Sequence, residues 1–186
     1  KARTTAIPKL VKELEFLLTD LGMENARFSI KATLTNSYFN NGKDELEFLF
    51  SANKGGNFGE LKKVASGGEL SRIMLSVKKV LSENTQLPTI IFDEIDTGVS
   101  GEVSNKIAAI MQQMSANMQV IAITHLPQIA AKGSSHYKVY KDEVNGITTT
   151  NLKELSSEER IIEIAEMLSG KDISDSARSH AKELLS

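Results

Sequence analysis

Two adjacent carboxylates, Asp93 and Glu94, directly follow a short apolar run at residues 89–92. Such a run predicts a buried strand that ends at the two acids. In a nucleotide site the first acid of such a pair can hold Mg²⁺, directly or through water, and the second can orient a water beside the terminal phosphate. The alternative is a pair of solvated acids at a strand end, which the apolar lead-in disfavours.

A second candidate lies where Ser66, Gly67, Gly68 and Glu69 precede a run of helical periodicity that extends to about residue 83. Helix N-termini present unpaired N–H groups and a partial positive charge, so this segment is a candidate phosphate cradle. The alternative is simple N-capping, in which Ser66 or the glycines bond the free N–H groups without a ligand. The residues alone leave both interpretations open.

A histidine, His125, follows a second apolar run at residues 120–123. A helix is predicted at 102–114, and the strand, helix, strand order implies a parallel crossover whose strand ends share one edge. We therefore expect His125 on the same edge as Asp93 and Glu94. The other two histidines, at 136 and 180, are predicted to be structural or surface residues.

The loop at residues 95–101 joins the carboxylate pair to the predicted helix and contains Asp96 and two glycines. Ser100 could cap that helix. Asp96 is the acidic residue of this loop and a further candidate for the site.

The remaining pattern predicts the elements that must carry these residues. Apolar residues spaced 3,4,3,4 from Ile7 to Leu21 predict a helix, packed on its own domain or ending a coiled coil, with Pro8 in its first turn. Alternation predicts two antiparallel strands at 28–34 and 46–52, and a hairpin of strands 136–140 and 147–151 around Asn145-Gly146. Two helices are predicted at 156–168 and 174–185. The sequence thus indicates an α/β fold with a mixed sheet, a parallel core, flanking helices and an antiparallel hairpin, without revealing the strand order.

Composition excludes several classes of protein. The 22 basic and 24 acidic residues leave a net charge of -2, so the chain lacks the overall positive charge that would favour binding to nucleic acid or an anionic membrane. The chain has no cysteine, which excludes disulfides and thiolate metal sites and fits a reducing cytoplasm. No apolar stretch of membrane-spanning length and no secretory signal is present. Because the first residue is Lys1 rather than methionine, we expect a segment of a longer protein.

The order of these motifs resembles that of ABC-type ATPases. The series from 65 to 125 is similar to their signature motif, Walker B strand, D-loop and H-loop. Two segments resemble the RecN-type family, which are SMC-like bacterial proteins of DNA double-strand break repair. They are Asp-Glu-Ile-Asp-Thr-Gly-Val-Ser-Gly at 93–101 and Thr-His-Leu-Pro-Gln-Ile-Ala-Ala at 124–131. The resemblance implies the C-terminal lobe of an ATPase head at 23–186, with 1–22 as the helix that leaves a coiled coil.

One departure from the ABC pattern is large. The sequence has no Gly-x-x-x-x-Gly-Lys-Ser/Thr phosphate-binding loop. In the RecN-type family this loop lies in the N-terminal half of the polypeptide, across the coiled coil. The resemblance therefore implies that this chain carries half of an ATP-binding site. The N-terminal half of the same protein, which contains the P-loop, would complete it.

The resemblance also implies roles for the strand-end residues, with ATP and Mg²⁺ as cofactors. Asp93 would help to hold Mg²⁺, Glu94 would polarise the attacking water, and His125 would contact the terminal phosphate. Asp96 would lie at a seam between two heads.

The helix start would act on a second head. Ser66, Gly67 and Gly68, with Glu69 in the same motif, would bind the nucleotide of the opposite head in a homodimer. DNA would be a partner through the full-length protein, in the cytoplasm at the nucleoid, and no membrane is expected. The alternatives are the head lobe of another SMC- or Rad50-type ATPase and a non-catalytic ABC-like interaction domain. The intact acid pair argues against the interaction domain.

Overall fold

The computed structural model describes residues 2–85, 87–93, 95–96, 98–99, 101–144 and 146–186 of the chain. The predicted site residue Glu94, the predicted cap Ser100 and the turn residue Asn145 lie outside this described part. The elements, in chain order, are α1 Ala2–Asp20, β1 Arg27–Phe39, β2 Gly42–Ser51, β3 Gly59–Glu60, α2 Leu61–Val64, α3 Gly67–Asn84, β4 Thr89–Asp93, α4 Glu102–Ser115, β5 Gln119–Ile123, α5 Pro127–Lys132, β6 Tyr137–Val144, β7 Ile147–Glu154, α6 Ser157–Ser169 and α7 Asp175–Leu185.

The strands β4 and β5 form a parallel pair connected through α4, which confirms the predicted crossover. One face of the pair packs on α4, where Phe92 joins a core cluster with Ile107 and Met111. The prediction of a buried strand is wrong for the other face of the pair, where Ile91 is 61% and Ile123 is 56% exposed. A continuous apolar run indicates that both faces of a strand are suited to burial. It does not indicate whether the residues that cover each face belong to the same segment of chain.

The strands β1 and β2 pair antiparallel, as predicted, and pack against α1 and α3. The rings of Phe28 and Phe50 lie 5.2 Å apart, and Leu14 and Leu18 of α1 are buried beside them. The helix α1 therefore packs on its own domain.

The start of α1 differs from the sequence prediction. The helix begins at Ala2, so Pro8 lies in its interior rather than in its first turn. Proline at an interior position removes one backbone hydrogen bond and strains the preceding turn, which the remaining turns of this 19-residue helix accommodate.

A third cluster joins α5, α6 and α7 through buried residues that include Ile164 and Ala181. The predicted hairpin β6–β7 is attached to α6 by ion pairs from Lys138 to Glu163 and Glu166. Within the described residues, no helix combines the length and the apolar content needed to cross a membrane.

Candidate functional site

The carboxyl ends of β4 and β5 bring two of the predicted site residues to one edge. The strands are parallel and in register, with Asp93 opposite Ile123, so His125 follows β5 just beyond the end of β4. The side chain of Asp93 is exposed, and that of His125 is 73% exposed. Both are therefore open to a ligand at this edge.

Asp96 joins the turns that follow the two strands. Its side chain is 1% exposed, and Oδ2 accepts hydrogen bonds from the Thr124 hydroxyl and, at 3.0 Å, from the His125 N–H. The Thr124 oxygen in turn accepts the Leu126 N–H at 3.0 Å. Asp96 Oδ1 is buried and has no hydrogen-bond partner among the described residues.

The sequence motifs assign no role to Thr124. The one feature in the sequence that could have pointed to Thr124 is that a hydroxyl residue directly precedes the candidate histidine. Its role as a hydrogen-bond donor is recognisable only once the position of Asp96 is known. The predicted place of Asp96 at a seam between two heads stays a prediction; in this chain the carboxylate lies under the turn that carries His125.

The start of α3 is a capping box. Ser66 is the N-cap residue, and its Oγ accepts the Glu69 N–H at 3.4 Å. The Glu69 carboxylate accepts both the N–H and the hydroxyl of Ser66 at 2.7 Å. The N–H of Ser66, then its hydroxyl, then the charge of Arg72 lower the pKa of Glu69, and partial burial opposes them. The capping interpretation is thus realised in the structure.

The capping box leaves part of the helix start available. Gly67 and Gly68 occupy its first positions, whose N–H groups have no partner within an α-helix. No protein acceptor for them is found in the described part of the chain. Gly67 is exposed, and a Cβ placed on it would meet nothing within 4 Å, so there is free space beside the first helical position. The donor set fits a phosphate, provided that the Ser66 hydroxyl turns away from Glu69.

The helix start and the strand edge are two separate surfaces. No hydrogen bond or ion pair joins Ser66 or Glu69 to the turns at Asp96 and His125 among residues 2–85, 87–93, 95–96, 98–99, 101–144 and 146–186. Each surface can therefore be tested by itself.

Curated proteins named DNA repair protein RecN are similar to this chain along almost its whole length. The chain is 41% identical over 181 residues to the DNA repair protein RecN of Halalkalibacterium halodurans, covering 95% of this chain and 32% of that protein. It is 40% identical over 198 residues to RecN of Bacillus subtilis, covering 98% and 34%. The chain therefore spans about a third of the length of the curated relatives that it matches. No family model matches the chain.

Solved structures of SMC head domains are similar to this chain in fold. An SMC head domain with a coiled coil and joint from Pyrococcus yayanosii superposes with a TM-score of 0.64 at 17% identity, covering 89% of this chain and 30% of that chain. A structure reported in work on ATP-driven dimerization and DNA-stimulated activation of SMC ATPases has a TM-score of 0.55 at 17% identity, covering 90% and 96%. At these identities the likeness shows the fold alone, which agrees with the predicted ATPase-head lobe.

Proposed function

We propose that this chain, which is RecN-like in sequence and has the fold of an SMC-type ATPase head lobe, supplies half of an ATP-hydrolysing head in a RecN-type protein of DNA double-strand break repair. The observation that carries the proposal is the edge formed by β4 and β5. There Asp93 ends β4, and His125 follows the end of β5, its parallel and in-register partner; Glu94 is next to Asp93 in the sequence.

The uncovered face of β4 and β5 supports a half-site. Ile91, Ile121 and Ile123 are exposed on this face, where apolar side chains are costly to leave in water. We assign this face to the N-terminal P-loop half of the same protein, which also provides the phosphate-binding lysine that this sequence lacks. The continuation of α1 toward a coiled coil belongs to the same proposal, with the C-terminal half of the helix packed on the lobe through Leu14 and Leu18.

The strand-edge residues act on the nucleotide of their own head. Asp93 helps to hold Mg²⁺, Glu94 orients and polarises a water, and His125 contacts the terminal phosphate. Bound with ATP, Mg²⁺ supplies charge neutralisation for phosphoryl transfer. An exposed carboxylate and an exposed imidazole at one edge fit these partners.

The helix start acts on the nucleotide of a second head. Ser66, Gly67 and Gly68 bind its terminal phosphate with a hydroxyl and two N–H groups, and Glu69 holds the loop in the conformation of the capping box. ATP thereby joins two heads in a homodimer, with the Asp96 loop at their seam, and hydrolysis releases them. The ATP-driven dimerization named for a structural relative supports this assignment, and DNA is contacted through the full-length protein.

Two other functions are less well supported. The head lobe of a different SMC-type ATPase shares the fold, but its sequence would not be about 40% identical to RecN proteins along almost the whole chain. A non-catalytic interaction domain would need the uncovered sheet face, yet it would have no chemical need for both Asp93 and Glu94.

The test is Glu94→Gln in the full-length protein, because an amide keeps the size of the side chain and loses the basic oxygen. We expect ATP binding to persist and hydrolysis to fall by about 10²- to 10⁴-fold, with ATP-bound dimers accumulating. The matched control is Glu102→Gln, an exposed acid in the first turn of α4, which should change hydrolysis less than twofold. A Glu94→Gln protein that keeps more than a tenth of the wild-type rate would remove Glu94 from the catalytic role.

A further inference from the structure

The strand β1 is an outer strand of its three-stranded sheet and pairs with β2 alone among the described residues. The direction of its backbone groups follows from Phe28, whose N–H donates to Glu15 Oε1 of α1 at 2.9 Å rather than to β2. Along an antiparallel pair, residues that bond the partner strand alternate with residues whose N–H and C=O groups point away from it. Ile30, Ala32 and Leu34 therefore direct their backbone groups outward, as Phe28 does.

Residues 30–34 form an open stretch of this edge, the β1 window. No group in the described part of the chain donates to or accepts from the outward backbone groups of the window. Glu15 closes one end of the window by bonding Phe28, and at the other end the register with β2 shifts after Leu34. A row of unpaired N–H and C=O groups on an outer strand is a template for a further strand.

The side chains of the window are also uncovered. Leu34 is 74% exposed and Ala32 is exposed, although strand alternation places both on the same face of β1 as Phe28, which packs on α1. Lys31 and Thr33 are exposed on the opposite face. A strand that fits the window is therefore apolar on the α1 side, beside Leu34, and polar on the other side. An acid beside Lys31 would add a favourable pair.

We infer that the β1 window receives an extended segment from the N-terminal P-loop half of the same protein, which adds a strand beside β1. This inference rests on the proposed function, because it takes the occupant from the half that completes the ATP site. The chain covers only about a third of its curated relatives, so most of such a protein lies outside it. Leu34 favours a partner that stays in place, because an apolar side chain left in water is destabilising.

A second copy of this chain fits the window less well. Two β1 strands paired antiparallel would lie about 4.8 Å apart. Each would carry its own α1 on the same face, because α1 extends along the window from Phe28 to Asp44, the residue opposite Leu34. Packed helices need about 8–10 Å between their axes, so the two α1 helices would collide. An extended segment without a helix over it avoids this collision.

The first test measures hydrogen exchange at single amides in the full-length protein without nucleotide. The N–H groups of Lys31 and Thr33 point toward β2 and serve as the protected reference. We expect the outward N–H groups of Ile30, Ala32 and Leu34 to exchange within about tenfold of that reference. Outward groups that exchange faster than this would overturn the inference. The comparison needs no variant, and a protein that fails to hydrolyse ATP would contradict the proposed function without changing this result.

The second test identifies the occupant in the same full-length protein. A photo-reactive phenylalanine analogue in place of Leu34 should crosslink to a peptide of the N-terminal half. The matched control carries the analogue in place of Glu45, which is exposed on the polar face of β2 opposite Thr33 and should give no such crosslink. A crosslink from position 34 to a second protomer, or protection that is lost on dilution, would assign the window to a second copy and overturn the inference.

A proline separates an added strand from simple packing over the window. Ala32→Pro removes an outward N–H and leaves the bonds to β2 in place, as proline does on outer strands. It should speed the exchange of Ile30 and Leu34 more than about tenfold, whereas Ala32→Val keeps the N–H, suits a strand and should keep their protection. Unchanged protection in Ala32→Pro, with Lys31 and Thr33 still slow, would overturn the inference. If Ala32→Pro does not fold, Lys31 and Thr33 exchange fast as well, and the comparison in the unaltered protein decides.

Discussion

Two helices of this chain begin with the same arrangement of hydrogen bonds. At 66–69 and at 156–159, a serine N-cap accepts the N–H of the glutamate three residues later, at 3.4 and 3.3 Å. Each glutamate accepts the serine N–H in return, at 2.7 and 2.9 Å. Both segments are therefore capping boxes with nearly the same geometry, although only the sequence of the first resembles the ABC signature motif.

The two helix starts differ in the residues between the serine and the glutamate. The first has Gly67 and Gly68, which carry no side chain, and there is free space beside Gly67. The second has Ser157 and Glu158, and its Glu159 also forms an ion pair with Lys153. An acid in the first helical turn already supplies the negative charge that a helix N-terminus favours. Capping therefore fixes where both helices begin, and the intervening side chains decide whether an external anion can reach the backbone.

The largest contrast is expected from an arginine at each N-cap. In the full-length protein, Ser66→Arg should spare ATP binding by a single head and abolish ATP-driven dimerisation and hydrolysis, because a bulky cation blocks the phosphate surface between heads. Ser156→Arg should lose a cap worth about 0.5–2 kcal/mol of stability and keep hydrolysis within twofold. Light scattering with ATP, together with titration of each monomer, measures these outcomes.

A mixing experiment tests whether Ser66 acts on the opposite head. Ser66→Arg protein in excess is added to Glu94→Gln protein, and dimer formation with ATP is followed. Mixed dimers should be defective at the site that receives the altered loop and intact at the other. A Ser66→Arg protein that no longer binds ATP as a monomer would mean that the loop serves its own head, and the two-head arrangement would be abandoned.

A smaller effect is expected when the residues between cap and glutamate are exchanged. The double variant Gly67→Ser/Gly68→Glu gives α3 the composition of the α6 start. It should keep or raise the melting temperature, because the acid favours the helix N-terminus by about 0.3–1 kcal/mol and the glycines leave the helix. It should also lower ATP hydrolysis at least tenfold by repelling phosphate.

The reciprocal double variant Ser157→Gly/Glu158→Gly is the matched control. It should lower the melting temperature and leave hydrolysis unchanged within twofold. Equal losses of hydrolysis in the two double variants would show that helix stability, rather than access to the N–H groups, governs activity.

Sequence patterns predicted α3 to within two residues because helical periodicity is visible over several turns, whereas α2 and α5, of four and six residues, were missed. The five-residue strands β4 and β5 were predicted to within one residue from continuous apolar runs, which need no long period. Pro8 was misplaced because proline is compatible with both a first turn and a tolerated interior position. The uncovered face of β4 was unpredictable for a different reason, since the sequence does not record which part of a protein covers a strand.

The site was predictable where it depends on chain order and unpredictable where it depends on side-chain direction. Strand ends in a crossover meet at one edge, so Asp93 and His125 could be grouped from their positions alone. The burial of Asp96 beneath the Thr124 turn could not, because a loop side chain can point to solvent or inward with the same local sequence. Capping and phosphate binding are alternatives in the sequence at Ser66, and in the described part of the chain the capping box coexists with glycine N–H groups that have no protein acceptor.

The smallest expected effect concerns the two capping glutamates at low pH. The Lys153 side chain and then the N–H of Ser156 hold the pKa of Glu159 at about 2, and the pKa of Glu69 is lowered mainly by the N–H and hydroxyl of Ser66. A glutamate whose pKa is lower in the folded chain than its ordinary value of about 4.3 stabilises the fold above that value and loses this contribution as the pH falls through the folded pKa.

The contribution of Glu159 should therefore fade between about pH 4 and pH 2, and both effects on melting temperature should be small because these side chains are largely in water. Carboxyl ¹³C titration by NMR measures the pKa values directly. Lys153→Met removes the ammonium that Glu159 has and Glu69 lacks, so the pKa of Glu159 should rise above 2 yet stay below its ordinary value because Ser156 still donates. Ser66→Ala should leave Glu159 unchanged and raise the pKa of Glu69. If Lys153→Met leaves the pKa of Glu159 at about 2, the ion pair is not what distinguishes the start of α6 from that of α3. In that case only Ser157 and Glu158 would keep external anions from the start of α6.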